Sequence, residues 1–309
     1  MIEVQSLTRY YGDRRAVDNV SFTIASNEVI GFLGLNGAGK STTLKVLAGL
    51  LAPSKGTVRI DGVDMTDAPV SFRARMGYLP DEPPVYKEMT VEGYLRFVGA
   101  LRGMSVSALD ARLPGVLQKT QLVGFNHRII DELSHGYKQR VGIAQAIIHQ
   151  PKLVILDEPI SGLDPVQIVE MRAVIRGLAT ECTVLLSSHN LPEISQTCDR
   201  ILVLHRGRLV AMGSEHELAR MKTGLRVDIA VKGELEALRA LLAGHELVES
   251  AACHARDDGQ VEARVVLKQN RREALVADLV NAGFGIRRVD DTRGELEEIF
   301  LDLTREDAA

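Results

Sequence analysis

Apolar residues are spaced in two different ways along this chain, and the change comes near residue 221. Upstream, short unbroken runs dominate. Residues 153–156 read Leu-Val-Ile-Leu, the pattern of a parallel strand covered on both faces. Residues 28–33, 76–79 and 183–187 read as further strands, and residues 40–50 as a helix. Residues 57–63 carry an Asp61-Gly62 hairpin signal between short β-like runs. Residues 90–150 read mainly as helix, opening at Thr90 and broken near Gly103 and Gly124.

Downstream of Met221-Lys222-Thr223-Gly224 the period shortens to two. Leu225, Val227, Ile229 and Val231 alternate with polar or small residues, and so do Val261, Ala263, Val265 and Leu267, which predicts strands. Leu235, Leu238, Leu241 and Leu242 have helical spacing, as do Leu275, Val276, Leu279 and Val280, with Gly283 as a C-cap. The order β-α-β-β-α-β, closed by a helix around residues 295–303, predicts a small ferredoxin-like α+β domain. That tail shows no site chemistry; it reads as a packing or dimerisation module as readily as a ligand sensor.

Candidate chemistry begins at the turn between the strand at 28–33 and the helix at 40–50. Residues 34–41, Gly-Leu-Asn-Gly-Ala-Gly-Lys-Ser, fit G-x-x-x-x-G-K-S/T at every fixed position. The glycines let successive backbone N–H groups turn inward, and the helix start adds partial positive charge, so Asn36, Gly37, Ala38, Gly39, Lys40, Ser41 and Thr42 form a phosphate cradle. Lys40 would reach the β- and γ-phosphates of a nucleoside triphosphate, and Ser41 would ligate Mg²⁺. Asp157 and Glu158 close the strand at 153–156. They read as a magnesium-shell carboxylate and as a carboxylate that orients the attacking water.

A phosphate loop serves many enzymes, so a third segment discriminates. Leu133-Ser134-His135-Gly136-Tyr137, followed by Lys138-Gln139-Arg140, stands about 20 residues before Asp157. Ser134 is a good N-cap, and Gly136 permits close backbone approach. The segment resembles the signature of ATP-binding-cassette (ABC) ATPases, and the resemblance covers roughly residues 2–217. It implies that Ser134 and Gly136 face the γ-phosphate held by a second copy of the chain, in a head-to-tail ATP-bound homodimer. It further implies that Tyr11 stacks on adenine, that the loop Ser161-Gly162-Leu163-Asp164 crosses the dimer interface, and that His189 is the switch histidine beside the attacking water. Lys40, Glu158 and His189 are then the catalytic set. Asp164 joins the nucleotide-binding set, and Ser41, Asp157 and Asp81 the metal set.

Two departures stand out. Pro80-Asp81-Glu82 occupies the place where the family often has a glutamine, and Asp81 accepts hydrogen bonds without donating any. His135 and Tyr137 replace commoner glycine and glutamine. The expected architecture is an α/β P-loop NTPase of the ABC type, with an antiparallel β flank and a helical subdomain at about 90–150, over residues 1–220. A linker at 221–224 and a ferredoxin-like domain at 225–309 complete it. Such a tail, ending in a segment like Leu296-Glu297-Glu298-Ile299-Phe300, resembles ATPases that partner ABC-2-type permeases, among them drug-, gliding-motility- and copper-processing-type relatives.

Composition narrows the partners. The 309 residues carry a formal net charge of −4, with basic residues only in pairs such as Arg14-Arg15 and Arg271-Arg272, which disfavours nucleic acid. Three cysteines, Cys182, Cys198 and Cys253, are too few and dispersed for a disulfide framework or zinc site. No segment approaches the roughly 18 apolar residues of a membrane span, and the first residues lack a signal peptide's pattern. The resemblance therefore implies a cytoplasmic ATPase held at the inner face of the cell membrane by a separate permease, exporting cargo with ATP and Mg²⁺. Residues 81–89, rich in proline, apolar and charged side chains, would border the permease groove, and also read as an ordinary loop. The competing class is a soluble ABC ATPase acting on a ribosome or nucleic-acid complex. Such proteins usually carry two cassettes or a long coiled coil, and this chain shows one phosphate loop and no sustained heptads.

Overall fold

The computed structural model describes residues 1–222, 225–256, 260–269 and 271–291. In chain order, the first stretch runs β1 (Ile2–Tyr11), β2 (Arg14–Ile24), β3 (Val29–Leu33), α1 (Lys40–Leu47), β4 (Lys55–Ile60), β5 (Val63–Asp64), α2 (Pro69–Arg73) and β6 (Met76–Leu79). It continues through α3 (Val91–Leu101), α4 (Val106–Lys119), α5 (His135–Ile147), β7 (Leu153–Leu156), α6 (Pro165–Leu178), β8 (Thr183–Ser188), α7 (Leu191–Thr197), β9 (Arg200–His205), β10 (Arg208–Gly213) and α8 (Glu215–Lys222). Then come β11 (Leu225–Lys232), α9 (Leu235–Ala243), β12 (Val248–Ala255), β13 (Gln260–Leu267), α10 (Arg272–Asn281) and β14 (Gly285–Asp291).

The chain forms two compact units, Met1–Glu215 and His216–Ala309. The division lies a few residues before the expected linker at 221–224, because α8 starts at Glu215 and carries helix to Lys222.

In the first unit a six-stranded sheet has the order β10-β9-β3-β8-β7-β6. Strands β9, β3, β8, β7 and β6 are parallel, and β10 returns antiparallel at the edge. Every residue of β3 and β7 is buried, which explains their unbroken apolar runs. An antiparallel sheet, β2-β1-β4-β5, flanks it. Ile2, Val4, Phe22 and Ile24 from that flank pack with Ile30, Phe32, Leu44 and Leu47 in one core. Each such side chain contributes on the order of 1.5–3 kcal/mol, so the exit of β3 is firmly held.

The Asp61-Gly62 turn forms as expected, with both residues at positive φ. Helix α1 ends at Leu47 rather than near residue 50. Gly49 takes a φ of 63°, and its N–H donates to the Val46 carbonyl, a glycine stop that the periodicity alone does not mark. Between 90 and 150 lie α3, α4 and α5, and the predicted breaks at Gly103 and Gly124 both have left-handed backbones. Thr90 and Ser105 cap α3 and α4 by accepting from the amides of Gly93 and Ala108.

The second unit has the predicted β-α-β-β-α-β order, as an antiparallel sheet β12-β13-β11-β14. The alternating Val227, Ile229 and Val231, with Val261, Ala263, Val265 and Leu267, form its core with Leu238, Leu242, Leu275 and Leu279 from α9 and α10. The helix expected around 295–303 lies outside the described residues.

Candidate functional site

Because β3, β8, β7 and β6 are parallel neighbours, the segments leaving their C-terminal ends meet on one side of the sheet. The phosphate loop leaves β3, His189 follows β8, Asp157 and Glu158 follow β7, and Asp81 follows β6. They share one open cleft of about 520 Å³, lined by Tyr11, Arg14, Ala16, Leu35, Asn36, Gly37, Gly39, Lys40, Ser41, Thr42, Asp81, Asp157, Glu158, Ser161 and His189.

The loop's shape explains its glycines. Gly39 has a φ of 100°, and a Cβ there would lie 2.6 Å from the Ala16 carbonyl oxygen. Helix α1 starts on this residue without a side-chain cap, so its first N–H groups are left for a ligand in the cleft. Lys40 is 7% exposed, and its Nζ donates to the Gly34 carbonyl at 2.6 Å. Burial pushes its pKa down, while the nearby carboxylates of Glu158 and Asp157 pull it back up. Ala38 departs from the expectation. It is buried and does not line the cleft, and its N–H is spent within the loop on the Leu35 carbonyl.

The carboxylates are held differently. Asp157 is buried, and its Oδ1 accepts from the Ser187 hydroxyl at 2.6 Å. Burial raises its pKa and the charge of Asp81 adds to this, while the Ser187 bond and the charges of Lys40 and Lys45 oppose it. Glu158 has a left-handed backbone, with φ 50°, an unusual conformation for a residue with a Cβ. Its amide donates to Ser187 Oγ at 3.0 Å, and its Oε2 lies 3.0 Å from His189 Nδ1. Asp81 is anchored through its backbone, whose carbonyl accepts from the Gln139 amide on α5 at 3.2 Å. Tyr11 ends β1 with its ring about half exposed and the Arg9 guanidinium 5.2 Å from the ring centre.

Ser134, Gly136 and Asp164 are not among the cleft's lining residues. Ser134 has the extended backbone of an N-cap, yet its side chain makes no cap hydrogen bond, contrary to its expected capping role. A Cβ on Gly136 would meet Gln167 Oε1 at 2.6 Å, so close packing against α6 explains that glycine. Asp164 is committed locally, since its Oδ1 accepts from the amides of Val166 and Gln167 and caps α6. Of the two departures here, His135 Nε2 lies 3.3 Å from the Ser161 carbonyl oxygen. Tyr137 stacks on Phe125 at 4.2 Å and under the Arg140 guanidinium, which pairs with Gln121 and Glu170.

A family model described as ABC transporter matches residues 17–161. Over 301 residues the chain is 34% identical to the ABC transporter ATP-binding protein YxlF of Bacillus subtilis (strain 168), spanning 97% of this chain and 98% of that relative. This chain belongs to the ABC transporter family of ATP-binding proteins. The ABC protein is also 35% identical over 270 residues to the Nod factor export ATP-binding protein I of Rhizobium meliloti, covering 85% of this chain and 81% of the relative. A solved ATP-binding subunit of an ABC transporter superposes with a TM-score of 0.64 at 33% identity, covering 72% of this chain and 92% of the solved one.

The cleft of this ABC protein suits Mg²⁺. Ser41, Asp157 and Asp81 offer only hard oxygen donors, and a cation there would offset the charge that Asp81 imposes on Asp157. Arg14, Ala16, Leu35 and Ser161 also line the cleft, though no motif reading singled them out for it. Ser187 touches both carboxylate residues and escaped notice. Its only sequence signal is the polar pair Ser187-Ser188, which follows an apolar run and stands just before His189.

Proposed function

We propose that this ABC protein binds ATP in the cleft and hydrolyses it with Mg²⁺, acting as two copies arranged head to tail. Its turnover drives export through a separate ABC-2-type membrane permease. The observation that supports this best is the meeting of the phosphate loop, Asp157, Glu158 and His189 in one cleft, with Glu158 and His189 already 3.0 Å apart.

In this reading the uncapped start of α1 receives the phosphates, and Lys40 exchanges its Gly34 carbonyl for β- and γ-phosphate oxygens. Tyr11, at the cleft's edge, stacks on the adenine. Ser41, Asp157 and Asp81 would hold Mg²⁺, which would supply positive charge to offset that of the phosphates. Glu158 orients the water for in-line attack, and His189 steadies that carboxylate. Ser134 and Gly136 lie off this cleft, so their helix start is left for the nucleotide held by the second copy.

Among the described residues no helix is long and apolar enough to cross a membrane, which fits a permease carried by another chain. Tyr86 and Phe97, both well exposed and edge-to-face at 5.5 Å, offer an aromatic contact beside α3 for a cytoplasmic helix of that permease. In this reading the protein works at the cytoplasmic face of the cell membrane. The Nod factor exporter's name supports export as the direction.

Purification of the tagged chain from detergent-solubilised membranes tests the assembly. A stoichiometric polytopic partner, with ATPase activity that needs Mg²⁺, is the expected result. Recovery with ribosomes or nucleic acid instead would overturn the transport reading.

A further inference from the structure

We propose that Ser187 is a positioning residue for ATP hydrolysis, its buried hydroxyl aligning Asp157 for the cation and Glu158 for the attacking water. This inference rests on the ATPase reading above.

The register of the sheet creates the contact. On β7 and β8, Leu156 pairs with Leu186, so the next residues, Asp157 and Ser187, are brought side by side at the strand ends. Ser187 is fully buried, in a strand whose preceding residues Val184, Leu185 and Leu186 are apolar and equally buried. A hydroxyl in such a place needs partners, and it has two. The Glu158 amide donates to Oγ at 3.0 Å, and Oγ lies 2.6 Å from Asp157 Oδ1.

The polarity of this pair follows from chemistry. A backbone N–H can only donate, so Ser187 accepts from Glu158 and spends its single proton on the Asp157 carboxylate. One atom thereby sets two groups. Asp157 has Oδ1 engaged, which turns the carboxylate and leaves Oδ2 as the oxygen for a cation. Glu158 holds its left-handed backbone with its amide satisfied, and from that backbone its carboxylate reaches His189. Neighbouring Ser188 does a different job. Its hydroxyl bonds Glu193 and accepts from the Asn190 amide, fixing the turn that carries His189.

Ser187→Ala removes both bonds at the cost of one oxygen atom. With cation-free ATP binding held within about twofold of wild type, kcat is expected to fall about thirtyfold. The affinity for Mn²⁺, titrated by electron paramagnetic resonance in the presence of a non-hydrolysable ATP analogue, is expected to weaken about tenfold. Ser187→Thr, which keeps the hydroxyl, is expected to restore most of both. If the alanine variant does not fold, Ser187→Cys, similar in shape with a weaker donor, is read by the same measures.

A kcat and an Mn²⁺ affinity both within about twofold of wild type would overturn the inference. So would an equal loss of cation-free ATP binding, which would mean that the cleft had collapsed. Wild-type turnover in the same assay separates the two levels: activity in wild type with an unaffected Ser187→Ala variant removes only this inference. A wild-type chain that does not hydrolyse ATP removes the ATPase reading and this inference with it.

Discussion

Helices α1 and α5 both begin without a side-chain cap, whereas α3, α4 and α6 are capped by Thr90, Ser105 and Asp164. Of the helix starts without a side-chain cap, these two differ most usefully in their surroundings. That of α1 opens into a furnished cleft, where Lys40, Asp157, Glu158 and His189 are within reach of one ligand. That of α5 presents Ser134 and His135, both exposed, and Gly136 packed against Gln167, and lies outside that cleft. One helix start faces a cleft lined by charged side chains, and the other lies outside it. On the proposed head-to-tail arrangement, the difference means that a single chain carries one half of each of two sites.

The sharpest break in that comparison is chemical. Glu158→Gln is expected to cut turnover at least about a hundredfold, on the order of 3 kcal/mol, while ATP binding persists. Single-turnover kinetics beside equilibrium titration will show it, and wild-type hydrolysis would remove Glu158 from its role. Lys40→Ala strikes the other side of the same cleft. Its ATP affinity is expected to fall at least about tenfold, measured by titration with a fluorescent nucleotide.

Changes at α5 should look different. Gly136→Asp, which forces Gln167 aside and brings negative charge to the helix start, is expected to lower kcat about tenfold or more and to leave ATP affinity within about threefold. Equal losses of affinity and rate would erase the contrast between the two helices. Tyr11→Ala is a milder test at the cleft edge. Its KM for ATP is expected to rise about fivefold, near 1 kcal/mol of lost stacking.

The smallest effect on ATP turnover is expected just past the far end of α5, away from the cleft. His149 sits 3.0 Å from the Met76 carbonyl oxygen, and burial, aided by Arg102, lowers its pKa from 6.5 to about 4. The unfolded chain therefore takes up a proton that the folded chain refuses. The stability this group contributes is complete above pH about 6.5 and is lost as pH falls toward 4. Thermal melts between these limits should show that slope reduced in His149→Gln. An identical slope would show that His149 stays as accessible to protons as it is when unfolded.

Much of this is legible in the sequence. The glycine spacing of the phosphate loop, the apolar run ending in Asp157-Glu158 and the alternation around Val227 and Val261 each follow from local periodicity or backbone need, and each element lies where the pattern puts it. What escaped depends on register or on competing local bonds. Ser187 matters because β7 and β8 align it with Asp157, and no spacing along the chain encodes that pairing. At Asp164 and Ala38, local bonds at the start of α6 and within the loop occupy Oδ1 and the backbone N–H, which spacing alone does not show. Ser134 looked like a cap, and its side chain is left out of that role.

The central claim, that each site needs two chains, is tested most directly by complementation. A Lys40→Ala chain keeps an intact α5 start, and a Gly136→Asp chain keeps an intact phosphate loop. Each alone is expected to be strongly impaired, and ATPase activity should rise when the two are mixed, because one pairing joins the sound halves into a working site. No recovery on mixing, or full activity in the Gly136→Asp chain alone, would contradict the account.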